Sequence, residues 1–139
     1  LIVGGLKVGM NVAVATPDGY KPDGAVLEFT KGYGDKFALE TDPFMAASGA
    51  DILITDTWTS MGEEAEKEER KKIFKDYQIN RQLLAAANAG AMVQHCLPAY
   101  RGQEITEEVF EEHADEIFNE AENRLHAQKA VMVKLMKKD

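Results

Sequence analysis

At 139 residues, with 45% apolar and 29% charged positions, the chain has the length and composition of one globular domain around a single core. Sixteen Lys and Arg against 24 Asp and Glu leave a formal net charge of −8, which argues against nucleic acid and anionic membrane surfaces as partners. One cysteine permits no internal disulfide, which fits a reducing compartment or is simply neutral.

The first residues, "LIVGGLKVGM", read as the end of a helix with Ile2, Val3, Leu6 and Met10 on one face. Lys7 and the breaks at Gly4, Gly5 and Gly9 fit neither a signal peptide nor a membrane span. The apolar start without Met suggests a chain cut inside a longer protein. "NVAVAT", residues 11–16, is a buried strand between Gly9 and Pro17. "PDGYKPDG" is turn chemistry, and a helix is predicted over 25–31, ended by the glycines of "KGYG".

Residues 36–41 alternate as a second strand. Asp42 then caps a short helix opened by Pro43 and closed by Gly49. "DILITDTW", residues 51–58, is a third strand, too continuously apolar for a half-exposed position. "GEEAEKEERKKIFKDYQI" is helical, with Glu63–Lys67, Glu66–Arg70 and Glu68–Lys72 in the favourable i,i+4 order. Asn80 caps "RQLLAAANA", which Gly90 stops, and residues 91–95 make a fourth strand. Thr106 begins a short helix. "IFNEAENRLHAQKAVMVKLMKK" ends the chain as a long one, with Leu125, Gln128, Met132 and Leu135 in one stripe and lysines at its C-terminal end.

This strand–helix alternation argues for an α/β fold, an open parallel sheet flanked by helices in a Rossmann-like arrangement. Ligands of such sheets gather beyond the carboxyl ends of the strands. Two unusual segments belong there. In "DTWTSMG", Asp56 lies near the end of an apolar strand with limited water around it and suits an ammonium partner. Ser60, Met61 and Gly62 precede a helix expected from Glu63, where backbone N–H groups and a hydroxyl suit a carboxylate. Together they match an α-amino acid, and capping of the loop and helix is an equally good reading.

In "HCLPAYRG", Pro98 drives Leu97 out of helical geometry and frees the backbone groups around it. Strand alternation sends His95 and Cys96 to opposite faces, poor geometry for a thiolate–imidazole couple. The pair also lacks metal-ligand spacing, so no metal is expected. Taken alone, Cys96 is more simply a small buried hydrophobe. Arg124, in "AENRLHAQKA", is read in the first turns of the last helix, where it could grip an anion bidentately. A solvent-facing pair with Glu120 is the plainer alternative. His113 and His126 read as surface residues, Trp58 and Phe118 as packing.

"DTWTSMG", "HCLPAYRG" and "AENRLHAQKA", in this order, resemble the signature segments of the ornithine carbamoyltransferases. The likeness runs through nearly the whole chain and aligns with the second, ornithine-binding half of those enzymes. On that resemblance residues 1–139 form an ornithine-binding domain shortened at its N-terminal side, without the carbamoyl-phosphate-binding domain. The implied reaction moves the carbamoyl group of carbamoyl phosphate to the δ-amine of ornithine, giving citrulline and phosphate, with no metal or organic cofactor.

The same resemblance implies the site roles. Asp56 would hold the α-ammonium, and Ser60 and Met61 the α-carboxylate. Cys96 would be an orienting thiol, not a covalent nucleophile. The Leu97 carbonyl would accept from the carbamoyl NH₂, and Arg124 would polarise the carbamoyl oxygen and touch the phosphate. Homotrimers or their multiples, and a cytoplasmic or mitochondrial-matrix location, are the implied setting. The isolated half is expected to be inactive. A non-catalytic amino-acid-binding module is the competing reading. A dinucleotide-binding oxidoreductase would want G-x-G-x-x-G after the first strand, which "ATPDGY" does not supply.

Overall fold

The computed structural model describes residues 1–59 and 66–137. In chain order the elements are α1 (Ile2–Lys7), β1 (Val12–Ala15), α2 (Gly24–Thr30), a 3₁₀ stretch (Lys31–Lys36), β2 (Phe37–Glu40), α3 (Pro43–Ala47) and β3 (Ile52–Thr55). They continue with α4 (Lys67–Phe74), a 3₁₀ turn (Lys75–Tyr77), α5 (Arg81–Ala86), β4 (Met92–His95), α6 (Glu107–Glu112) and α7 (Ala114–Met136). Among the described residues no helix is long and apolar enough to cross a membrane.

Local chemistry sets these boundaries. Asp23, Asp42, Asn80 and Thr106 each accept a backbone N–H at the start of α2, α3, α5 and α6, satisfying donors that have no intrahelical partner. Pro43 opens α3, where its fixed φ fits and its missing N–H costs nothing. After α3, Gly49 adopts φ +69° and donates its N–H to the Ala86 carbonyl, a conformation that penalises any side chain.

The strands pair in parallel, as the alternation requires, but in two separate two-stranded sheets. β1 pairs with β2 (Val12 opposite Phe37), and β3 with β4 (Ile52 opposite Met92). The expected single sheet is therefore divided, because no described strand pairs with both β1 and β3. Ile54 is accordingly 42% exposed, although its continuous apolar run argued for full burial.

The core lies around the second pair. Leu53 and Val93 pack with Ala47 of α3, Leu83 of α5, Val109 and Phe110 of α6, Ile117 of α7, and the loop residues Ile79 and Ile105. α7 packs along β4, and its first half buries Ile117 in the core and sets Phe118 edge-on against Phe110. Its second half leaves Leu125, Met132 and Leu135 exposed, so the stripe read from the sequence is covered by nothing described. Of the anticipated pairs in the charged helix, Glu66–Arg70 forms, while Glu68 takes Lys71 instead of Lys72. Glu63–Lys67 lies outside the described residues.

Candidate functional site

β3 and β4 run side by side in the same direction, so their C-terminal ends deliver the segments that follow to one place. Thr55 is opposite His95 in the register, and Asp56 and Cys96 are the next residue of each strand. A carboxylate oxygen of Asp56, a ring nitrogen of His95 and the Cys96 sulfur all lie within 4.8 Å of one another. Two strand ends thus unite residues 40 positions apart.

Asp56 is exposed, in contrast to the dry position expected for it. β3 stops at Thr55, short of the end expected at Trp58, so Asp56 lies beyond the sheet in open chain, and its Oδ1 accepts the Thr57 N–H at 2.7 Å. Burial pushes the half-buried Cys96 thiol above its ordinary titration range, and the Asp56 carboxylate, as acceptor and as charge, pushes it further. Glu120 adds to that effect and Arg124 opposes it. Such a thiol stays protonated near neutrality, which makes it a weak nucleophile.

His95 does not serve the thiol. Its ring is fully buried, with Nε2 3.0 Å from Glu104 Oε1, while Nδ1 accepts the Leu97 N–H at 2.9 Å. A nitrogen that accepts carries no proton, so the ring is the Nε2–H tautomer donating to Glu104. Both ring nitrogens are engaged, so of the three clustered groups only Asp56 and Cys96 remain as metal ligands among the described residues, short of the three or four that a zinc site requires. The expected separation of His95 and Cys96 needs one correction. Cys96 follows the last residue of β4, so strand alternation no longer governs it and the two side chains come close.

The loop after Cys96 is built on this ring. Leu97 adopts φ +56°, a left-handed conformation rare outside glycine, and precedes a cis peptide to Pro98. The His95 ring takes the Leu97 amide that the sequence left free, whereas among the described residues nothing donates to the Leu97 carbonyl. Glu104 Oε1 also accepts the Tyr100 N–H at 2.6 Å, closing the loop from its far side. Ile79 fixes Glu104 in turn, donating to the Glu104 carbonyl at 2.9 Å and accepting from Thr106 at 3.0 Å. Sequence reasoning missed Glu104. "RGQEIT" looks like a polar turn, and only its proximity to an isoleucine that must be buried hints otherwise.

α7 borders the site from the side. Glu116 Oε2 accepts the Val93 N–H at 2.9 Å and so registers the helix against β4. Four helical residues rise about 6 Å, and two strand residues rise about 6.6 Å. Glu120 therefore stands level with the end of β4, and Arg124 one turn further, level with the loop after it. Arg124 lies near the middle of the 23-residue α7 and is exposed; it was expected in the first turns because the helix begins earlier, at Ala114, than its apolar pattern suggests. Among the described residues no ion pair joins it to Glu120. His113 is no bare surface residue either, since its Nδ1 lies 2.9 Å from Glu116 Oε2.

On the remaining side Trp58 stacks on Phe74 at 6.2 Å, and Arg70 of α4 donates to the Trp58 carbonyl at 3.3 Å. Lys67 lies 5.3 Å from the centre of the Tyr100 ring. Ser60 and Met61, named with Asp56 from the sequence, lie outside the described residues.

The family described as aspartate/ornithine carbamoyltransferase, Asp/Orn binding domain, matches residues 1–135. The chain belongs to this family. The ornithine carbamoyltransferase of Gloeobacter violaceus is 55% identical over 140 residues, which cover 98% of this chain and 45% of that protein. That of Nitratiruptor is 52% identical over 136 residues. Among solved structures, the anabolic ornithine carbamoyltransferase of Campylobacter jejuni superposes with a TM-score of 0.90 at 43% identity, covering 96% of this chain and 46% of that one. The Pyrococcus furiosus enzyme superposes with a TM-score of 0.83 at 45% identity. The chain thus spans a little under half the length of the relatives it matches.

Proposed function

We propose that the chain supplies the ornithine-binding half of an ornithine carbamoyltransferase. The whole enzyme would move the carbamoyl group of carbamoyl phosphate to the δ-amine of L-ornithine, giving citrulline and phosphate. The observation that carries this reading is the meeting of Asp56 and Cys96 at two adjacent strand ends, with Arg124 of α7 bordering the same place.

Each group has a task suited to its chemistry. The exposed Asp56 carboxylate is an acceptor for the α-ammonium, and Ser60 and Met61 are carried over from the family as holders of the α-carboxylate. The protonated Cys96 lies beside the substrate side chain and orients it. Its upward shift supports that role over covalent attack. The Leu97 carbonyl, to which no described residue donates, suits the carbamoyl NH₂ as donor.

When the neutral amine attacks the carbamoyl carbon, negative charge grows on the carbamoyl oxygen. The Arg124 guanidinium, carried on α7, would lower that barrier electrostatically. The carbon–oxygen bond to phosphate breaks with its electron pair, and phosphate can take the proton that the amine sheds. Positioning supplies the rest of the rate.

The complementary carbamoyl-phosphate half, a trimeric or larger assembly and a cytoplasmic or matrix setting belong to the same proposal. Its test is citrulline formation on mixing the chain with a separately produced carbamoyl-phosphate half. Turnover only in the mixture supports the reading. Ornithine binding that never yields citrulline favours the non-catalytic amino-acid-binding module.

A further inference from the structure

β3 ends at Thr55, and the residues that follow carry Asp56 into the site without a ladder to hold them. Among the described residues no backbone–backbone hydrogen bond joins residues 56–58 to another segment. Loop positions are held less precisely than strand positions, and a binding group must stay within about 0.5 Å of its productive place.

A side chain of α4 holds this stretch. Arg70 donates from Nη1 to the Trp58 carbonyl at 3.3 Å, two residues past Asp56. Its Nε donates to Glu66 Oε2 at 3.0 Å, and Nη2 pairs with the same oxygen at 3.0 Å. The guanidinium also lies over the Tyr20 ring, 5.6 Å from its centre, and the side chain is only 19% exposed. The planar fork thus serves two polar partners at once, a task that one ammonium cannot perform. α4 is itself braced. Phe74 meets Tyr20 edge-on at 4.8 Å and stacks on Trp58, and Lys67 lies over the Tyr100 ring. Tyr20, Trp58 and Tyr100 follow β1, β3 and β4, so one helix contacts the chain leaving three strands.

We infer that Arg70 is a positioning residue: by holding the Trp58 carbonyl it keeps the Asp56 carboxylate beside Cys96, where the substrate ammonium arrives. The inference rests on the reading of Asp56 as holder of the α-ammonium. Arg70 acts through Asp56 and touches no substrate itself.

The first readout needs no ligand. It is the rate of Cys96 alkylation by iodoacetamide against pH, in the wild type and in Arg70→Met with native circular dichroism. Asp56 holds the thiol protonated while it stays beside it. In Arg70→Met the inflection moves to lower pH, toward that of Asp56→Asn. Loss of the arginine's own positive charge would move it the other way, so the direction separates the two effects. An inflection that is unmoved or raised overturns the positioning role. Should Arg70→Met lose native circular dichroism, Arg70→Lys takes its place with the same expectation, since the charge is kept and the fork is lost.

The second readout is calorimetric titration of the full chain with L-ornithine in Arg70→Met, Asp56→Asn and the double variant. Each single substitution weakens binding about tenfold, as loss of a charge-assisted hydrogen bond does, and the double variant binds no more weakly than Asp56→Asn alone. Effects that multiply to about a hundredfold overturn the inference, because Arg70 then acts independently of Asp56. Wild-type affinity in Arg70→Met overturns it as well. Failure of Asp56→Asn to weaken ornithine overturns the reading of Asp56 instead, and the thiol inflection still decides the role of Arg70.

Discussion

Glu104 and His95 form a fully buried pair, with Glu104 Oε1 3.0 Å from His95 Nε2, and through it the core dictates the shape of the loop that follows Cys96. The ring's other nitrogen holds the Leu97 amide, and the carboxylate holds the Tyr100 amide. One buried acid thereby orients three groups. Replacing Glu104 with Leu strands the Nε2–H and the Tyr100 N–H without acceptors. An unsatisfied buried donor such as the Nε2–H costs about 1–3 kcal/mol, and the part-buried Tyr100 N–H less, so urea unfolding of Glu104→Leu should show a loss of about 2 kcal/mol. In the wild type, nitrogen-15 shifts should report the Nε2–H tautomer of His95. An Nδ1–H tautomer would break this account of the loop.

Asp56 governs the reactivity of Cys96. Burial and the Asp56 carboxylate both raise the thiol's titration, so removing the charge in Asp56→Asn lowers it. The rate of Cys96 alkylation against pH should have its inflection at lower pH in Asp56→Asn than in the wild type. An unmoved inflection would mean that the two side chains do not meet in solution.

Much of the fold was legible in the sequence because its signals are local. Asp42-Pro43, Asn80 and Thr106 announce helix starts by hydrogen-bond chemistry within three or four residues, and all three cap as expected. The division into two sheets was not legible, since pairing between strands depends on segments far apart in the chain. Asp56 and Cys96 could be singled out as residues at strand ends, but their meeting follows from the β3–β4 register, which the alternation implies without fixing. Glu104, Glu116 and Glu120 were invisible as site or core residues. A glutamate in a polar stretch carries no mark of what the fold later buries it against.

Glu116 should make stability acid-sensitive. Burial pushes its carboxyl up, but the Val93 N–H and His113 outweigh that and leave it below the ordinary carboxylate range. A depressed folded-state value stabilises above the unfolded-state pKa, and that stability is lost as pH falls through the folded-state value. Glu116→Gln should therefore be less stable than the wild type at neutral pH, by about 1 kcal/mol for the hydrogen bonds concerned. The difference should shrink below pH 4. A gap that persists unchanged to pH 2 in thermal melts would contradict the assignment.

The exposed half of α7 should tolerate charge. Leu135 is 80% exposed and packs on nothing described. Leu135→Lys should change the unfolding free energy of this chain by less than about 0.5 kcal/mol, as surface substitutions do. A loss of several times that figure in chemical denaturation would show that the stripe is covered in solution.

The most direct test of the central claim is an NMR titration of the chain with L-ornithine, following backbone amides residue by residue. The account predicts shifts concentrated at residues 55–57 and 95–97, with weaker ones near Glu120 and Arg124, and their loss in Asp56→Asn. Saturable shifts confined to other parts of the chain, with Asp56 and Cys96 silent, would contradict it.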